Sequence, residues 1–438
     1  MPTDPTPRMT LAQKLSLAHL LLFAAALPFE RFYSQLLLIS LVAHTLIQLR
    51  RGALSLLWRR ELLLLQSVFW ITVLATAWSA QKGTAFPMWE RQLAFLLFPV
   101  LLPLQGVDLR RAVPAVMRVF AWVNVAVILY LYADALAVIR FHRLPLSDLF
   151  GAHFISHQFA GPVGMHATYL SLFCALSLTA LLLSLLSEKR RPAIIPLAVA
   201  VFVLLAGLVQ LGSRAVLLAT ALILLGVVPF VVARGAARLR YLAVTVLVTA
   251  LAGLTVYRSD ALAQRLVADL RSDLSTGGAR YSVADPRAAR WALAWELVKA
   301  SPLRGHGSGD EVALLKEAYY THGLYDSYLN ELNAHNQYLS FALRGGALGL
   351  LAYLGSLAFL ARLAWRRRNA LFGAFVLLLA VTGISENLFD VNKGVFFAAF
   401  FGPLFAWAAL REPEIKRAPG NPVGRRRVST GSRIPVKI

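Results

Sequence analysis

The sequence predicts an all-α polytopic membrane protein with about twelve transmembrane helices. Of its 438 residues, 58% are hydrophobic. Soluble domains are less apolar, since about half of their residues are apolar. The mean hydropathy of this chain, +0.63, is correspondingly high. The apolar residues form runs, such as the one from Ala215 to Val232, whose length matches the hydrocarbon core of a bilayer. Strict alternation of apolar and polar residues is absent, and a backbone in lipid must bond to itself, which together indicate helices.

The apolar runs place the helices and divide the chain. They predict helices at about 12–29, 33–49, 61–79, 88–105, 112–139, 163–186, 192–211, 214–234, 239–257, 336–363, 370–388 and 393–410. We therefore expect nine transmembrane helices within 1–257, a loop domain at 258–335, three more helices within 336–410 and a disordered basic tail at 411–438. A loop as long as 258–335 is usually functional, and its amphipathic stretches predict helices that lie on the membrane surface.

The basic residues predict an orientation. The net charge is +22, which in a soluble protein would suggest a nucleic-acid partner, but here most Lys and Arg residues stand in short blocks between the apolar runs. Because loops that stay in the cytoplasm are enriched in Lys and Arg, we expect both termini in the cytoplasm and the loops 140–162 and 258–335 in the periplasm. The expected location is the bacterial inner membrane, with membrane lipids around the chain and no nucleic acid. The single cysteine, Cys174, lies in an apolar run, which excludes disulfides and cysteine metal sites.

Arg214 lies where two long apolar helices meet in a very short periplasmic turn. A cation near membrane depth is costly unless it is paired or functional. Short periplasmic loops contain few basic residues, so a single arginine in this turn favours a functional role. The alternative is an interfacial anchor whose side chain reaches back to water.

Arg287 lies in the first turn of a helix that Asp285–Pro286 predicts, with the helix extending to about Ala300. The dipole at a helix N-terminus disfavours cations, so an arginine there suggests an anionic partner. A surface salt bridge is the alternative. Trp291 stands four residues later and therefore shares the helical face of Arg287.

His335 is the candidate base of the sequence. It stands at the start of a transmembrane helix on the periplasmic side, and an imidazole with a reference pKa of about 6.5 can accept a proton at neutral pH. The alternative is an interfacial hydrogen-bonding residue. Glu386 and Asp390 are predicted to end the eleventh helix near the same surface, where either could position a substrate hydroxyl or a basic side chain.

Two further motifs carry weaker signals. The segment GHGSG at 305–309 could form a backbone nest for phosphate, but it lacks the ending of a P-loop, and a tight turn after Pro302 explains it better. His153 and His157 have i,i+4 spacing that can suit a metal. Because only Asp148 accompanies them as an acidic residue, we expect no metal site there.

Together these residues resemble the O-antigen ligase/polymerase superfamily. The resemblance rests on Ser213–Arg214 opening a helix, Arg287 with Trp291, Pro302–Leu303 before Gly305-His306-Gly307, and His335–Asn336 before Tyr338–Leu339 and Gly345–Gly346. The helix count, the late periplasmic loop and the cytoplasmic termini extend it over almost the whole length. One position departs from the pattern, since an acidic residue is common before the glycine pair and Arg344 stands there instead.

The resemblance implies a function in lipopolysaccharide biosynthesis. Within the superfamily the chain looks most like the O-antigen ligases, GT-C-like membrane glycosyltransferases that use polyprenyl-linked donors. It would transfer O-antigen from undecaprenyl diphosphate, the donor, to lipid A–core, the acceptor. The first alternative is an O-antigen polymerase, which joins repeat units. The second is a lipid-linked glycan flippase, which requires charges inside the helices, and these helices are nearly free of them.

The expected mechanism uses arginine in place of a metal ion. The periplasmic loops contain no Asp-x-Asp motif, so we expect neither metal nor cofactor. The planar fork of arginine binds phosphate oxygens in pairs, and Arg214 and Arg287 are the expected diphosphate ligands. His335 is the expected base, and direct displacement would invert the anomeric centre. The further expected substrate-binding residues are Arg290, Trp291, Asn336, Tyr338, Glu386 and Asp390.

Overall fold

The computed structural model describes residues 9–49, 55, 58–232, 235–273 and 286–411. Its helices up to the long loop are α1 (Leu11–Ala26), α2 (Arg31–Ile47), α3 (Arg60–Thr76), α4 (Lys82–Leu104), α5 (Leu109–Phe141), α6 (Ser156–Ala160), α7 (Ala167–Ser187), α8 (Arg191–Leu211), α9 (Arg214–Leu222), α10 (Val228–Val232) and α11 (Ala236–Arg258). The helices that follow are α12 (Asp260–Ala263), α13 (Asp269–Asp273), α14 (Arg287–Ala300), α15 (Glu311–Thr321), α16 (Tyr325–Leu329), α17 (Gln337–Arg367), α18 (Ala370–Thr382) and α19 (Asn392–Leu410). Within the described residues the chain contains no strand.

The all-α membrane class that the sequence predicts is confirmed. A helix stands at each of the twelve predicted positions, with α9 and α10 joined by a π-helical turn at 223–227. Among the described residues, six helices are long and apolar enough to span a bilayer, namely Leu109–Phe141, Ala167–Ser187, Arg191–Leu211, Arg238–Arg258, Gln337–Arg367 and Asn392–Leu410. Four more apolar helices are shorter, so the number of twelve crossings stays a prediction. The predicted tail at 411–438 lies outside the described residues except for Arg411.

The helices pack around α19 at the centre of the bundle. In the span of α19 that could cross a membrane, 83% of the residues are buried, against 6% in α11. Phe400 and Phe401 of α19 contact Phe98 of α4 and Phe120 of α5 through edge-to-face rings. Interdigitated aromatic rings of this kind add to the dispersion energy of a close-packed core. The bundle therefore offers a rigid frame for the loops at its ends.

The long helix α17 is broken at Gly346, and the segment 302–307 fills the break. Gly346 has φ +59° and ψ −149°, and a Cβ there would lie 2.3 Å from the carbonyl oxygen of Leu303. The amides of His306 and Gly307 donate to the carbonyls of Leu343 and Arg344 at 2.8 and 2.9 Å. These amides are used inside the protein, so the hypothesis of a phosphate nest at 305–309 is wrong. The segment is the tight turn after Pro302, and it clasps the kinked helix.

One helix end differs from the prediction. Helix α18 ends at Thr382 rather than near residue 388, because Gly383 follows it and gives its carbonyl to the amide of Gln337 at 2.7 Å. Glu386 and Asp390 therefore lie in the loop 383–391 beyond α18, and Asp390 ends a short 3-10 helix, Leu388–Asp390, within that loop. Because no continuous α-helix contains both residues, their four-residue spacing does not place them on one helical face.

Candidate functional site

Five charged or titratable side chains meet at one end of the bundle and form what we call the site cluster. Its members are Arg214, Asp273, Arg287, His335 and Glu386. They come from the start of α9, the end of α13, the start of α14, the residue before the cap of α17 and the loop 383–391. Neighbouring members are in contact from Arg214 through to His335. The structure thus brings together the two arginines and the histidine that the sequence singles out as candidates for catalysis.

Arg214 and Arg287 share one carboxylate oxygen. Arg214 Nη2 donates a hydrogen bond to Asp273 Oδ2, and Arg287 Nε lies 3.9 Å from the same atom. Within the described part of the chain, the buried Nη1 atom of Arg214 has no hydrogen-bond partner. Buried polar groups without partners are rare. An anion between the two guanidinium groups would satisfy this atom.

Glu386 joins the arginines to the histidine. Its Oε1 lies 3.6 Å from Arg287 Nη2, and its Oε2 lies 3.5 Å from His335 Nδ1. Burial acts to raise the pKa of Glu386, but contact with His335 and the charge of Arg287 outweigh it and lower that pKa below its ordinary value. A carboxylate beside Nδ1 favours the tautomer with the proton on Nδ1, in which Nε2 carries the free lone pair.

The backbone of His335 adopts an unusual conformation that its neighbours hold in place. His335 has φ +46°, a left-handed value that is uncommon for residues other than glycine. Its amide donates to Asn333 Oδ1 at 3.0 Å. On the N-terminal side, Trp291 Nε1 donates to the carbonyl of Ala334 at 3.1 Å. Strained conformations of this kind persist only where the surroundings fix them, and they occur often at functional sites.

The polar atoms of three expected substrate-binding residues take part in these internal contacts. The indole of Trp291 holds the segment before His335, as described above. Asn336 Oδ1 accepts from the amides of Tyr338 and Leu339 at 3.0 and 3.1 Å and caps α17. The hydroxyl of Tyr338 donates to the carbonyl of Ala380 at 2.8 Å. These contacts use the indole nitrogen of Trp291, the side-chain oxygen of Asn336 and the hydroxyl of Tyr338 within the protein.

Arg290 stands three residues after Arg287 on the same side of α14 but is more deeply buried. Arg290 is buried together with Ala294 and Val298, whereas Arg287 contacts the site cluster. The helix begins at Arg287, with Pro286 in the N-cap position. The predicted N-cap residue Asp285 lies outside the described residues.

Asp390 pairs with Arg344, for which the sequence alone indicates no partner. Arg344 Nη1 and Nη2 donate to Asp390 Oδ1 and Oδ2 at 2.7 and 2.6 Å, and Arg344 Nε lies 2.6 Å from Glu311 Oε2. We name Glu311, Arg344 and Asp390 the frame triad. Both Glu386 and Asp390 contact a basic side chain, as the sequence allows, but each contacts a different one.

Sequence reasoning missed Arg265, which lies beside the site cluster. Its charge contributes to lowering the pKa values of His157 and His166, and its aliphatic stem would lie 3.5 Å from a Cβ at Gly212, two residues before Arg214. Among the described residues, its buried Nε atom has no hydrogen-bond partner. A weak sequence signal existed, since Arg265 is an arginine in a segment predicted to be periplasmic.

The two histidines next to Arg265 pair with each other. The rings of His157 and His166 lie 4.1 Å apart, and His166 Nδ1 accepts from the amide of Thr168 at 3.3 Å, which caps α7. Burial, with a smaller effect of His157, lowers the pKa of His166 to about 4. The histidine partner of His157 is thus His166 rather than His153. In the described part of the chain, no three His, Cys, Asp or Glu side chains form a group that could hold a metal ion.

Comparison with known proteins gives one family. A search of curated proteins finds no match. The family model Wzy_C, described as O-Antigen ligase, matches residues 198–354. This span contains Arg214, Arg287 and His335, whereas Glu386 and Asp390 follow it. Over residues 198–354 the chain is therefore similar to the O-antigen ligase family, in agreement with the resemblance to the O-antigen ligase/polymerase superfamily.

Proposed function

We propose that this protein is a glycosyltransferase that ligates O-antigen from undecaprenyl diphosphate onto a sugar hydroxyl of lipid A–core, on the periplasmic face of the inner membrane. The observation that carries the proposal is the site cluster itself. Two arginines suited to a diphosphate meet at Asp273, and one of them, Arg287, meets a histidine suited to a hydroxyl at Glu386.

The arginines would bind the diphosphate of the donor. Asp273 Oδ2 lies between Arg214 and Arg287, in the position that a phosphate oxygen would take, and the buried nitrogens of Arg214 and Arg265 provide further donors. Two guanidinium forks can each give two hydrogen bonds to phosphate oxygens. Such groups stabilise charge that develops on the leaving diphosphate, and they do so most strongly in a site that excludes water. The chain's own cations would then do the work that Mg²⁺ does in other enzymes.

His335 would activate the acceptor. Its Nε2 removes the proton of the attacking hydroxyl while the oxygen forms a bond to the anomeric carbon, and the bond from that carbon to the diphosphate oxygen breaks with its electron pair on the diphosphate. Glu386 stabilises the resulting imidazolium. Attack from the side opposite the leaving group inverts the anomeric centre. Since Arg287 contacts both Asp273 and Glu386, the diphosphate and the base would lie on the two sides of one guanidinium.

A reconstituted reaction tests the proposal. Purified protein in lipid nanodiscs, given lipid-linked O-antigen and lipid A–core, should yield glycosylated lipid A–core in the presence of a chelator. Loss of the wild-type activity in chelator would contradict the metal-independent mechanism. A deletion strain separates ligation from polymerisation. It should keep long glycan on undecaprenyl diphosphate, and loss of long glycan from the carrier would favour a polymerase.

The membrane orientation has a test of its own. Reporter fusions after Arg191 and Arg368 should indicate the cytoplasm, and fusions after Asp148 and Gly309 the periplasm, because the short basic loops are predicted to stay inside. A cytoplasmic signal at Gly309 would overturn the proposed function, since lipid A–core and the long glycan would then be on the other side of the membrane from the site cluster.

A further inference from the structure

We propose that Arg344 is a positioning residue for the base His335. Through the frame triad with Glu311 and Asp390, it holds the backbone on both sides of His335 against the loop 383–391. This inference rests on the proposed function, in which His335 is the base.

The frame triad is a buried arrangement of one cation between two anions. The side chains of Glu311, Arg344 and Asp390 are 1%, 9% and 10% exposed. Asp390 receives both terminal nitrogens of the guanidinium at 2.6 and 2.7 Å, and Glu311 faces the third nitrogen at 2.6 Å. Buried carboxylates are tolerated only when they are closely paired. The fork of Arg344 provides the shared counter-charge that lets both carboxylates stay in place.

Both carboxylates also hold the chain just before His335. The amide of Ala334 donates to Glu311 Oε1 at 3.0 Å. The side-chain amide of Asn333 lies 3.4 Å from Asp390 Oδ2, and its carbonyl oxygen accepts from the amide of His335. Each anion that Arg344 fixes therefore fixes one residue of the segment that carries the base.

Asn387 extends the same support to the other side of His335. Its side-chain nitrogen donates to Asp390 Oδ2 at 3.0 Å, and its oxygen accepts from the amide of Asn336 at 2.8 Å. Asn387 directly follows Glu386, the carboxylate that faces His335. The frame triad therefore sets the base and its carboxylate partner relative to one another, across two loops that are far apart in sequence.

Arginine is required because one side chain must satisfy two anions. Lysine has a single charged nitrogen and cannot reproduce the fork. A neutral side chain would leave Glu311 and Asp390 without their shared cation in a buried place. The backbone of Arg344 is itself fixed, since its carbonyl accepts from Gly307 in the segment that clasps α17.

The test compares Arg344→Met and Arg344→Lys with Arg411→Met. Arg411 is the control, an exposed arginine whose guanidinium also donates to protein groups, the carbonyls of Val107 and Pro103, and it lies outside the site cluster and the frame triad. We expect Arg344→Met to lower kcat on the order of a hundredfold with little change in the KM of the lipid-linked donor, since a small misplacement of a catalytic group costs about that much. Arg344→Lys should fall between this variant and the wild type. Arg411→Met should keep kcat.

Hydrogen exchange gives a readout that needs no activity. In Arg344→Met and Arg344→Lys, the amides of 333–336 and 383–391 should exchange faster than in the wild type, while those of α19 stay protected. Wild-type exchange in both loops together with wild-type kcat would overturn the inference, and so would a higher donor KM at unchanged kcat. If Arg344→Met fails to fold, Arg344→Lys decides. If the wild type transfers no glycan, the proposed function fails, whereas hydrogen exchange still decides whether Arg344 holds the two loops.

Discussion

The site cluster and the frame triad use similar residues in opposite ways. In the frame triad, Arg344 lies 2.6 or 2.7 Å from its carboxylate partners, whose side chains are 1% and 10% exposed. In the site cluster, Arg287 lies 3.9 and 3.6 Å from its two carboxylates, and His335 lies 3.5 Å from Glu386. Its side chains are 13 to 28% exposed.

Under the proposed function, this difference separates groups that would bind substrate from groups that would hold them in place. The guanidinium of Arg344 already faces two carboxylates at short distance, so it has little to offer a further anion. Arg287, whose contacts are long, and Arg214, whose buried Nη1 atom has no partner among the described residues, would both gain by binding an anion. Activity should therefore respond most strongly to changes in the site cluster, and each of the following variants tests one side of the comparison.

The largest effect is expected for His335→Ala. Removing the proposed base should abolish transfer, while the donor still binds, because the role of His335 is toward the acceptor hydroxyl. Glycan transfer and binding of lipid-linked donor are measured on the same purified protein. Residual transfer near the wild-type rate would assign the base to another residue, such as Glu386.

The next effect concerns the guanidinium forks of Arg214 and Arg287. Arg→Lys at either position should be nearly as damaging as Arg→Ala, because lysine keeps the charge and loses the fork. Loss of one such contact in the transition state costs on the order of 3–4 kcal/mol, or about a hundredfold to a thousandfold in kcat.

Arg304→Lys is the matched control for these variants. Arg304 is an exposed arginine of the same long segment, so its replacement should leave kcat unchanged. Full activity of both Arg214→Lys and Arg287→Lys would mean that these residues are interfacial anchors, for which lysine serves equally well.

The sequence predicts the helices well because the bilayer imposes a simple rule. A run of apolar residues long enough to cross the hydrocarbon must be a helix, whatever its neighbours are. The rule does not extend to loops. The end of α18 at Thr382 depends on the contact between the carbonyl of Gly383 and the amide of Gln337. These residues are far apart in the chain, so no local sequence pattern predicts their contact.

In the candidate site, the sequence predicts best those charged residues whose position is unfavourable without a partner. A cation in a tight turn, such as Arg214, or at a helix start, such as Arg287, calls for an anionic partner wherever it occurs. Arg344 could not be explained in this way, because both of its partners come from other elements. Arg265 looked like any other arginine of a long loop until the structure placed it beside His157 and His166.

A smaller effect is expected for Glu386→Gln. Glutamine keeps the size of the side chain but loses the charge that stabilises the imidazolium of His335, so kcat should fall by about tenfold to a hundredfold, at the lower end of general acid–base contributions. Burial favours a raised pKa of Glu386, yet His335 and Arg287 lower it, so the wild type keeps this charge throughout the neutral range. The measurement is the ratio of kcat between the two proteins from about pH 6 to about pH 8, where the variant should stay below the wild type. A ratio that approaches one across this range would show that Glu386 does not assist the base.

The smallest effect concerns the free energy of unfolding rather than glycan transfer. It tests whether His166 is shielded from water in the folded protein, as the frame triad is. Burial and the neighbouring His157 lower the pKa of His166 from 6.5 to about 4 in the folded protein. Between these values the unfolded chain binds a proton that the folded chain does not, so the contribution of His166 to the free energy of unfolding is complete above about pH 6.5 and decreases as the pH falls toward 4. A shift of this size corresponds to about 3 kcal/mol.

His166→Asn removes the titration and keeps a good N-cap for α7. Thermal unfolding of both proteins from pH 7 to about pH 4 should therefore show a steeper loss of stability in the wild type. Identical pH dependence in the two proteins would mean that His166 is as accessible to protons when folded as when unfolded, and it would then belong with the open site cluster instead.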